Sequence, residues 1–278
     1  MLKKAYLEIS NVCNLSCSFC HGTKRPPRMM TKSEFEHAAK ELRQHCEYLY
    51  FHLLGEPLLH PELDAFFETA ASLGFKVIIT TNGTLLKERE DLLLRSDALY
   101  KVSISLHSFE ANDTRIDFDA YLEECFDFCA CASERGVISV LRLWNKGGED
   151  ALNDRILSRL HERFGQSWLE TRSGYKIQDR VYLEWGDRFE WPDSEADDMG
   201  GNISCWGLRD QIGVLSDGTV VPCCLDAEGD IALGNIFTTN LSDILSSQRA
   251  LELKQSFERR RVTEPLCLRC GYAHQKKY

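Results

Sequence analysis

Apolar runs of strand length alternate with amphipathic stretches of helical period through the first two-thirds of the chain. The strand-like runs are Ala5–Ile9, Tyr48–Leu54, Lys76–Thr81, Lys101–Leu106, Val137–Leu143 and Val181–Trp185. The helical stretches are Thr31–Cys46, Pro61–Leu73, Leu85–Arg95, Phe118–Glu134 and Leu152–Phe164. Regular β–α alternation predicts parallel strands with helices outside, because right-handed crossovers return the chain to the same sheet.

This α/β pattern fits an incomplete β/α barrel of six units and also an open doubly wound sheet. Both architectures place ligands at the carboxyl ends of the strands. In the fourth run, period-two alternation places Ser103, Ser105 and His107 on one face. The same period-two alternation places three further pairs of residues on a common face: His52 with Glu56, Thr80 with Asn82, and Tyr182 with Glu184. We expect these polar side chains to converge at one mouth of the sheet.

The pattern changes after about residue 186. Residues 191–202 (WPDSEADDMGGN) are acidic, Gly-rich and aperiodic, as linkers are. Two apolar runs around Asp217–Gly218 then predict a hairpin, and Leu241–Phe257 has a helical pattern. The predicted domains are a partial barrel over residues 1–186, and a linker with a small C-terminal module over residues 187–278.

Composition and charge narrow the possible partners. The formal net charge of −10 argues against nucleic acid, and the one basic run, Arg259–Arg261, is interpreted as a solvated helix end. No apolar stretch approaches the ~18–20 residues that span a bilayer. The two lysines near the N-terminus are not followed by a long apolar segment, so we do not expect a secretory signal. The 12 cysteines therefore predict a protein of the reducing cytoplasm, where clustered thiols serve metals or catalysis.

A first cysteine set, consisting of Cys13, Cys17 and Cys20, follows the first predicted strand in the spacing C-x3-C-x2-C. Thiolates at such short spacing favour zinc or iron–sulfur chemistry. A structural zinc ion is coordinated by four protein ligands and has no open position. Three thiolates in one loop instead suit a cubane cluster whose fourth iron is left for a substrate or cosubstrate.

The form C-x3-C-x-aromatic-C, with Phe19 as the aromatic residue, resembles the signature of radical S-adenosylmethionine (SAM) enzymes. The resemblance implies that the open iron chelates the methionine moiety of SAM. It also implies that the reduced 4Fe–4S cluster cleaves SAM to a 5′-deoxyadenosyl radical that abstracts hydrogen. An external electron donor such as flavodoxin or ferredoxin is implied as a partner. Further matches are LLGEPLLHPEL after the second strand, TTNGTLL after the third and VSISLHS on the fourth.

These matches imply a set of cofactor-binding residues: Phe19, Gly55, Glu56, Pro57, Asn82, Ser105 and Arg142. In the family, the glycine–glutamate–proline motif contacts the methionine ammonium. This chain has Leu54 where the first of two glycines is common, and retains the rest of the motif. By the same resemblance, Ser105 is expected to contact the cosubstrate and Arg142 to meet the methionine carboxylate.

A second cysteine set, consisting of Cys205, Cys223, Cys267 and Cys270, lies in the C-terminal module. A hairpin cysteine with a C-x2-C pair is, taken alone, compatible with a zinc knuckle. The arrangement also resembles twitch, a shortened SPASM module that carries one auxiliary 4Fe–4S cluster. The resemblance therefore implies two 4Fe–4S clusters in all. Four thiolates leave no open iron, so this cluster is expected to pass electrons. Two alternatives stay open: Cys224 replaces Cys223, or one of the four cysteines is not a ligand.

Two cysteines outside these sets, Cys125 and Cys129, share a helix face with apolar residues and are interpreted as small core side chains. His21, beside Cys20, fits either an ordinary loop histidine or a residue that supports the first cluster.

The reaction favoured from these features is dehydrogenation of a small molecule, with the auxiliary cluster accepting an electron. Alternatives are a peptide- or protein-modifying maturase (crosslinking, epimerisation or residue oxidation) and a role in cofactor or nucleotide biosynthesis. A non-catalytic iron–sulfur electron carrier is a further alternative. Because the cluster loop starts at Cys13, we expect a leader-guided peptide substrate to need a separate recognition protein. Substrate-facing candidates are His52, His107, Tyr182 and Glu184.

Overall fold

The computed structural model describes residues 2–112 and 115–275, and these form one mixed sheet with helices packed against it. The strands are β1 (Lys4–Leu7), β2 (Tyr48–Tyr50), β3 (Lys76–Thr81), β4 (Leu99–Ser105), β5 (Ile138–Lys146), β6 (Leu169–Thr171), β7 (Gly174–Gln178), β8 (Val181–Asp187), β9 (Gln211–Val214), β10 (Thr219–Val221) and β11 (Gly234–Asn235). The helices are α1 (Lys32–Arg43), α2 (Leu63–Ser72), α3 (Leu86–Leu94), α4 (Phe118–Glu134), α5 (Asn153–Phe164), α6 (Leu241–Ser246), α7 (Gln248–Glu258), α8 (Pro265–Leu268) and α9 (Gly271–Gln275). Short 3-10 turns lie at Pro57–Leu59 and Leu106–Ser108.

Six parallel strands lie side by side in the order β1–β2–β3–β4–β5–β8, which is also their order along the chain, and β9 pairs in parallel with the other side of β1. A doubly wound sheet reverses its order at a switch point. Among the six strands joined by the barrel connections the order does not reverse, so right-handed crossovers place the connecting helices on one face. The outer strands β11 and β6 each have one neighbour, which leaves the barrel open. The prediction of a partial β/α barrel is confirmed, and the doubly wound alternative is wrong.

Local signals explain most helix boundaries. Helix α1 begins at a capping box. The Thr31 side chain accepts a hydrogen bond from the Glu34 backbone amide, and the Glu34 side chain accepts one from the Thr31 backbone amide. Helix α4 covers Phe118–Glu134 as predicted, and the Asp117 side chain caps it.

The helical pattern predicted over Leu241–Phe257 is confirmed, but it forms two helices with a break at Ser247. Ser247 adopts an extended backbone with ψ of 150° and ends α6. Its side chain accepts a hydrogen bond from the Ala250 amide and so starts α7. The apolar period continues across the break, which is why the pattern alone did not reveal it.

An antiparallel extension, β6–β7–β8, was not predicted. All three residues of β6 are exposed, and β7 has only one buried side chain, Ile177. Strands with so little apolar alternation give weak sequence signals.

The predicted hairpin at Asp217–Gly218 is confirmed as β9–β10. Strand β9 also pairs in parallel with β1, so the C-terminal module continues the barrel sheet. The proposed boundary after residue 186 stays a prediction. The basic run Arg259–Arg261 is exposed at the end of α7, as expected. No helix in the described parts of the chain is long and apolar enough to cross a bilayer.

Candidate functional site

One cavity of about 1260 Å³ lies inside the barrel, and both cysteine sets line it. The polar face predicted on β4 points into this cavity, since Ser103, Ser105 and His107 all line it. The alternate residues of β4, Val102 and Ile104, are fully buried on the other side of the sheet. The other predicted lumen residues, His52, Glu56, Thr80, Asn82, Tyr182 and Glu184, also line the cavity.

The first cysteine set lies on the loop after β1, with Cys13 and Cys20 exposed and Cys17 half-buried. The Leu15 and Gly22 amides each donate to a cysteine Sγ at 3.5 Å. The Asn112 side chain donates from Nδ2 to Cys17 Sγ at 3.1 Å. Burial raises the pKa of Cys17 to about 11, so a bound cation is needed to hold it as a thiolate.

The donor sets fit iron–sulfur clusters better than single ions. Among residues 2–112 and 115–275, no group of three or more His, Cys, Asp or Glu side chains is arranged to hold a metal ion. Zinc requires all four ligands close to one centre, at about 2.3 Å for sulfur. A cubane spreads its thiolates over several irons, and the hydrogen-bonded sulfurs of the first set match that use.

The segment after β2 packs against the backbone that leads to Cys13. The Glu56 amide donates to the Val12 carbonyl at 2.9 Å. Gly55 has a φ of +75°, and a Cβ there would lie 2.3 Å from the Ser10 carbonyl oxygen. Only glycine permits both this backbone conformation and this close approach.

The Glu56 carboxylate joins the loops after β2 and β3. It accepts from the Leu58 amide at 3.0 Å and from the Asn82 amide at 2.8 Å. The side chain is 1% exposed, and burial raises its pKa to about 7. Asn82 in turn donates from Nδ2 to Asn14 Oδ1 at 2.9 Å, which connects β3 to the cysteine loop. Pro57 is buried and begins the 3-10 turn that follows.

Arg142 reaches the cavity from β5, where it is the register partner of Ser105. Its guanidinium carbon lies 3.7 Å from the centroid of the Trp144 ring, and Nη1 is 3.5 Å from Thr80 Oγ1. Its Nε is buried and has no hydrogen-bond partner among the described residues. Burial lowers the pKa of Arg142 to about 10, which leaves it a cation at neutral pH and a donor for an anionic ligand. The Phe19 ring lies nearby, 4.7 Å from the His107 ring.

The fold brings the second cysteine set together from separate segments. Cys205 precedes β9, Cys223 follows β10, Cys267 lies in α8 and Cys270 precedes α9. Burial raises the pKa of Cys223, and the neighbouring Cys205 raises it further. Burial likewise raises the pKa of Cys270 to about 11, with Cys205 again a neighbour. All four thiols line the cavity.

Cys224 is a fifth thiol at this end of the cavity. Its side chain forms a hydrogen bond with the Tyr6 side chain of β1, and burial raises its pKa. Cys223 has Cys205 and Cys267 as neighbours, and Cys224 has Cys205 and Cys270 as neighbours. Proximity does not separate the two thiols, so the choice of Cys223 over Cys224 as the ligand stays a prediction.

Two neighbours of the first set were missed from the sequence. Asn112 comes from the segment after β4, and Trp191 belongs to the predicted linker. Trp191 donates from Nε1 to the Phe19 carbonyl at 3.2 Å and stacks on His21 at 5.9 Å. Neither residue has a periodic or spacing signal, so only the tertiary structure reveals them. His21 is exposed.

The two cysteines interpreted as core residues are confirmed as such. Cys125 and Cys129 are fully buried on α4 and belong to the main apolar cluster. Neither lines the cavity in the described part of the chain.

Family models match two parts of the chain. The model of the Radical SAM superfamily matches residues 7–151, about half of the chain. A second model, described as an iron–sulfur cluster-binding domain and called SPASM, matches residues 205–271.

Two curated relatives illustrate the range of similar proteins. The sporulation killing factor maturation protein SkfB of Bacillus subtilis is 25% identical, over 89% of this chain and 66% of its own length. The GTP 3′,8-cyclase of Aquifex aeolicus is 30% identical, over 49% of this chain and 45% of its own length. The chain thus spans less than two thirds of each.

Solved structures share the fold at low sequence identity. BtrN in complex with AdoMet and 2-DOIA has a TM-score of 0.57 at 18% identity, covering 97% of this chain and 93% of that one. Streptococcus suis SuiB bound to S-adenosylmethionine has a TM-score of 0.63 at 18% identity, covering 98% of this chain and 72% of that one.

Proposed function

The chain belongs to the radical SAM superfamily, and on that premise we propose that it oxidises an organic substrate by abstracting a hydrogen atom from it. The observation that carries the proposal is that both cysteine sets line one cavity. A substrate held there lies within reach of a radical source and of an electron acceptor.

The family's cofactors are a 4Fe–4S cluster and SAM, and the SPASM match adds iron–sulfur binding in the C-terminal module. We assign Cys13, Cys17 and Cys20 as ligands of the SAM-binding cluster. We assign the second cysteine set as ligands of the auxiliary cluster. When bound and reduced, the first cluster supplies the electron that converts SAM to a 5′-deoxyadenosyl radical.

The chain's own residues orient SAM in this proposal. Gly55 lets the motif backbone approach the cysteine loop, and Glu56 fixes that backbone through its two amide contacts. We assign the unpartnered Nε of Arg142 as the group that would donate to the methionine carboxylate. Trp191 fixes the cysteine loop by donating a hydrogen bond to the Phe19 carbonyl. Phe19, Pro57, Asn82 and Ser105 complete the proposed set around the methionine and ribose portions of SAM.

The net reaction removes two electrons from the substrate. One leaves with the hydrogen atom abstracted by the radical. The second passes to the acceptor held by the second cysteine set, and a proton leaves to water. Four thiolates would supply one ligand to each iron of that cluster, so no iron would be open to bind the substrate itself.

Two substrate classes fit the site. A small molecule is favoured by the polar side chains that line the barrel interior, such as His52, Tyr182 and Glu184. A peptide is favoured by the similarity to SkfB, a maturation protein, over 89% of this chain. A pure electron-carrier role is disfavoured because the superfamily match covers the SAM-binding motif as well as the cysteines.

The test begins with anaerobic reconstitution, followed by dithionite and SAM. We expect 5′-deoxyadenosine in the complete mixture and none without dithionite. If the complete mixture also yields none, the enzyme proposal is wrong. About eight irons per chain supports two cubanes, whereas about four irons with zinc supports a knuckle in the C-terminal module.

Substrate class is tested with an extract of source cells grown in deuterium oxide, divided by size into a small-molecule and a peptide fraction. The fraction that contains the substrate should raise the yield of 5′-deoxyadenosine and transfer deuterium into it. Transfer from the small-molecule fraction alone supports dehydrogenation of a small molecule. Transfer from the peptide fraction alone supports the maturase alternative.

A further inference from the structure

The floor of the cavity, at the amino ends of the strands, is lined by cationic and aromatic side chains. Tyr6 is the register partner of Tyr50, Tyr50 of Ile78, and Ile78 of Lys101. These residues therefore lie at one level across neighbouring strands, and all of them line the cavity. Their side chains point inward because their strand positions share one parity.

Two lysines meet at this level. The Lys4 Nζ lies 2.9 Å from the Tyr6 hydroxyl and 5.0 Å from the centroids of the Tyr6 and Tyr50 rings. Lys101 enters from β4 and is half-buried. Burial lowers the pKa of Lys101, although Glu184 partly offsets this effect.

His52 lies directly above the aromatic pair, with its ring 5.5 Å from that of Tyr6 and 5.7 Å from that of Tyr50. Its Nδ1 is buried and has no hydrogen-bond partner among the described residues. Burial, together with the charges of Arg142, Lys4 and Lys101, lowers the pKa of His52 to about 3. His52 is therefore a neutral ring that lines the cavity and carries a buried nitrogen without a hydrogen-bond partner among the described residues, and cationic side chains lie near it.

Lys101 forms no ion pair with a carboxylate among the described residues, although the charge of Glu184 acts on it from further away. Across residues 2–112 and 115–275, no acidic side chain lies within 4.0 Å of its Nζ. The chain as a whole has 43 Asp and Glu residues and 33 Lys and Arg residues. The absence of an ion-pair partner for Lys101 is therefore not due to a shortage of acidic residues. Lys76, on the adjacent strand β3 but outside the cavity lining, pairs with Glu47 at 2.6 Å. The contrast indicates that the Lys101 ammonium group is kept without an ion pair inside the cavity, where an entering anion can reach it.

We propose that Lys4, Lys101 and His52 form a subsite for an anionic oxygen group of the substrate, either a carboxylate or a phosphate. This inference rests on the proposed function and adds a substrate class to it. The two ammonium groups supply charge, and the free His52 nitrogen supplies a hydrogen-bonding position. Arg142 is a separate cation: its backbone lies at the level of Ser105, four residues and about 13 Å further along the strands than Lys101, and its charge also acts on His52.

The spacing indicates how such a substrate lies. With its anionic group on the floor, the rest of its frame extends along the barrel toward Ser105 and the first cysteine set. The proposal therefore predicts a substrate with an anionic group at one end and the reacting C–H bond toward the other.

The test is anaerobic calorimetric titration of the SAM-loaded holoenzyme with inorganic phosphate and, in a separate arm, with succinate. We expect saturable binding of at least one of these anions at a single site. Binding of phosphate alone identifies a phosphate subsite, and binding of succinate alone identifies a carboxylate subsite. Lys101→Gln should weaken binding by about tenfold or more, and Lys4→Gln should act in the same direction. Lys101→Arg, which keeps the charge, should bind nearly as well as the parent.

Lys76→Gln is the matched control, since it removes a lysine from the neighbouring strand outside the cavity, and it should not change anion binding. Iron content and the unfolding midpoint of each variant check that it is folded. The proposal is overturned if neither anion binds, if Lys101→Gln binds as tightly as the parent, or if SAM and the anion exclude each other. The yield of 5′-deoxyadenosine from the parent enzyme distinguishes failure of the subsite proposal from failure of the proposed function. If SAM is cleaved but no anion binds, only the subsite is wrong. If anions bind but SAM is not cleaved, the proposed function is wrong.

Discussion

The two cysteine sets differ in how the chain brings their members together. The first set comes from a single loop after β1, so its spacing is a local property of the sequence. The second set comes from separate segments and needs the hairpin β9–β10 and the short helix α8 to be in place. The first is therefore recognisable without a fold, whereas the second depends on one.

The sets also differ in exposure. Cys13 and Cys20 are exposed, while Cys223 is half-buried and Cys270 is buried. A set with two exposed thiols leaves room for a ligand that is not protein, whereas a set with no exposed thiol suits a cluster that only exchanges electrons. In the proposed function this difference separates the site that binds SAM from the site that receives an electron.

The largest expected effect comes from removing one member of the first set. Cys17→Ala should lower the yield of 5′-deoxyadenosine from SAM and dithionite by about 100-fold or more, because two thiolates do not hold the cluster. The measurement is chromatographic quantification of 5′-deoxyadenosine. Cys131→Ala is the control, since Cys131 lies on α4 outside the cavity lining and should leave the yield unchanged. Undiminished cleavage in Cys17→Ala would remove this set from the SAM site.

The second prediction concerns the C-x2-C pair. The double variant Cys267→Ala/Cys270→Ala should keep SAM cleavage within about twofold of the parent but stop formation of the oxidised product, because the electron acceptor is lost. Iron should fall from about eight to about four per chain. The measurements are 5′-deoxyadenosine, oxidised product and iron content on the same sample. Normal product formation would show that the second set has no role in electron transfer.

A third prediction tests the connection between the two regions. Arg25, on the loop that carries the first set, donates to both oxygens of buried Glu8 at 2.9 and 2.7 Å and to the Ala227 carbonyl at 2.8 Å. Arg25→Ala leaves an uncompensated buried carboxylate, so the free energy of unfolding should fall by about 3–5 kcal/mol. Denaturant unfolding measures the loss. Arg95→Ala, which breaks the exposed pair with Asp64, should leave stability almost unchanged.

A fourth prediction concerns the close approach at Gly55. Gly55→Ala places a Cβ 2.3 Å from the Ser10 carbonyl oxygen at a φ of +75°. The loop must shift, which should cost about 1–3 kcal/mol of stability and raise the KM for SAM. Gly136→Ala is the matched control, because Gly136 has a φ of +79° with nothing within 4 Å of the added Cβ. If the two variants have the same KM for SAM, the close approach does not position the SAM site.

The smallest expected effect comes from one hydrogen bond to sulfur. Asn112→Ala removes the donor 3.1 Å from Cys17 Sγ. Since a hydrogen bond stabilises the more negative reduced state, its loss should lower the potential of the first cluster. A contribution of about 1 kcal/mol corresponds to roughly 40 mV for one electron. Spectroelectrochemical titration should show this shift with the auxiliary cluster unmoved. A shift of both potentials, or of neither, would contradict the assignment.

The parts of the site that were predictable are those with a local or periodic signal. The Cys13–Cys20 loop follows a strand, and alternation along β4 correctly placed Ser103, Ser105 and His107 in the lumen. Fold class was predictable for the same reason, because each of the strands β1 to β5 is an apolar run followed in the chain by an amphipathic helix.

The parts that were missed depend on tertiary contacts. Asn112 and Trp191 reach the cysteine loop from distant segments, and nothing in their own neighbourhoods indicates it. The cationic floor was also missed, since Lys4 and Lys101 belong to different strands and meet only through the register of the sheet. The break at Ser247 depends on one backbone angle and a side-chain cap, which a hydrophobic pattern does not encode.

The central claim is that SAM binds at the first cysteine set and not at the second. The most direct measurement is electron–nuclear double resonance of the reduced holoenzyme with SAM labelled with ¹⁵N at the methionine amino group. The account predicts a ¹⁵N hyperfine coupling that persists in Cys267→Ala/Cys270→Ala and is absent in Cys17→Ala. A coupling that survives in Cys17→Ala and is lost in the double variant would contradict it.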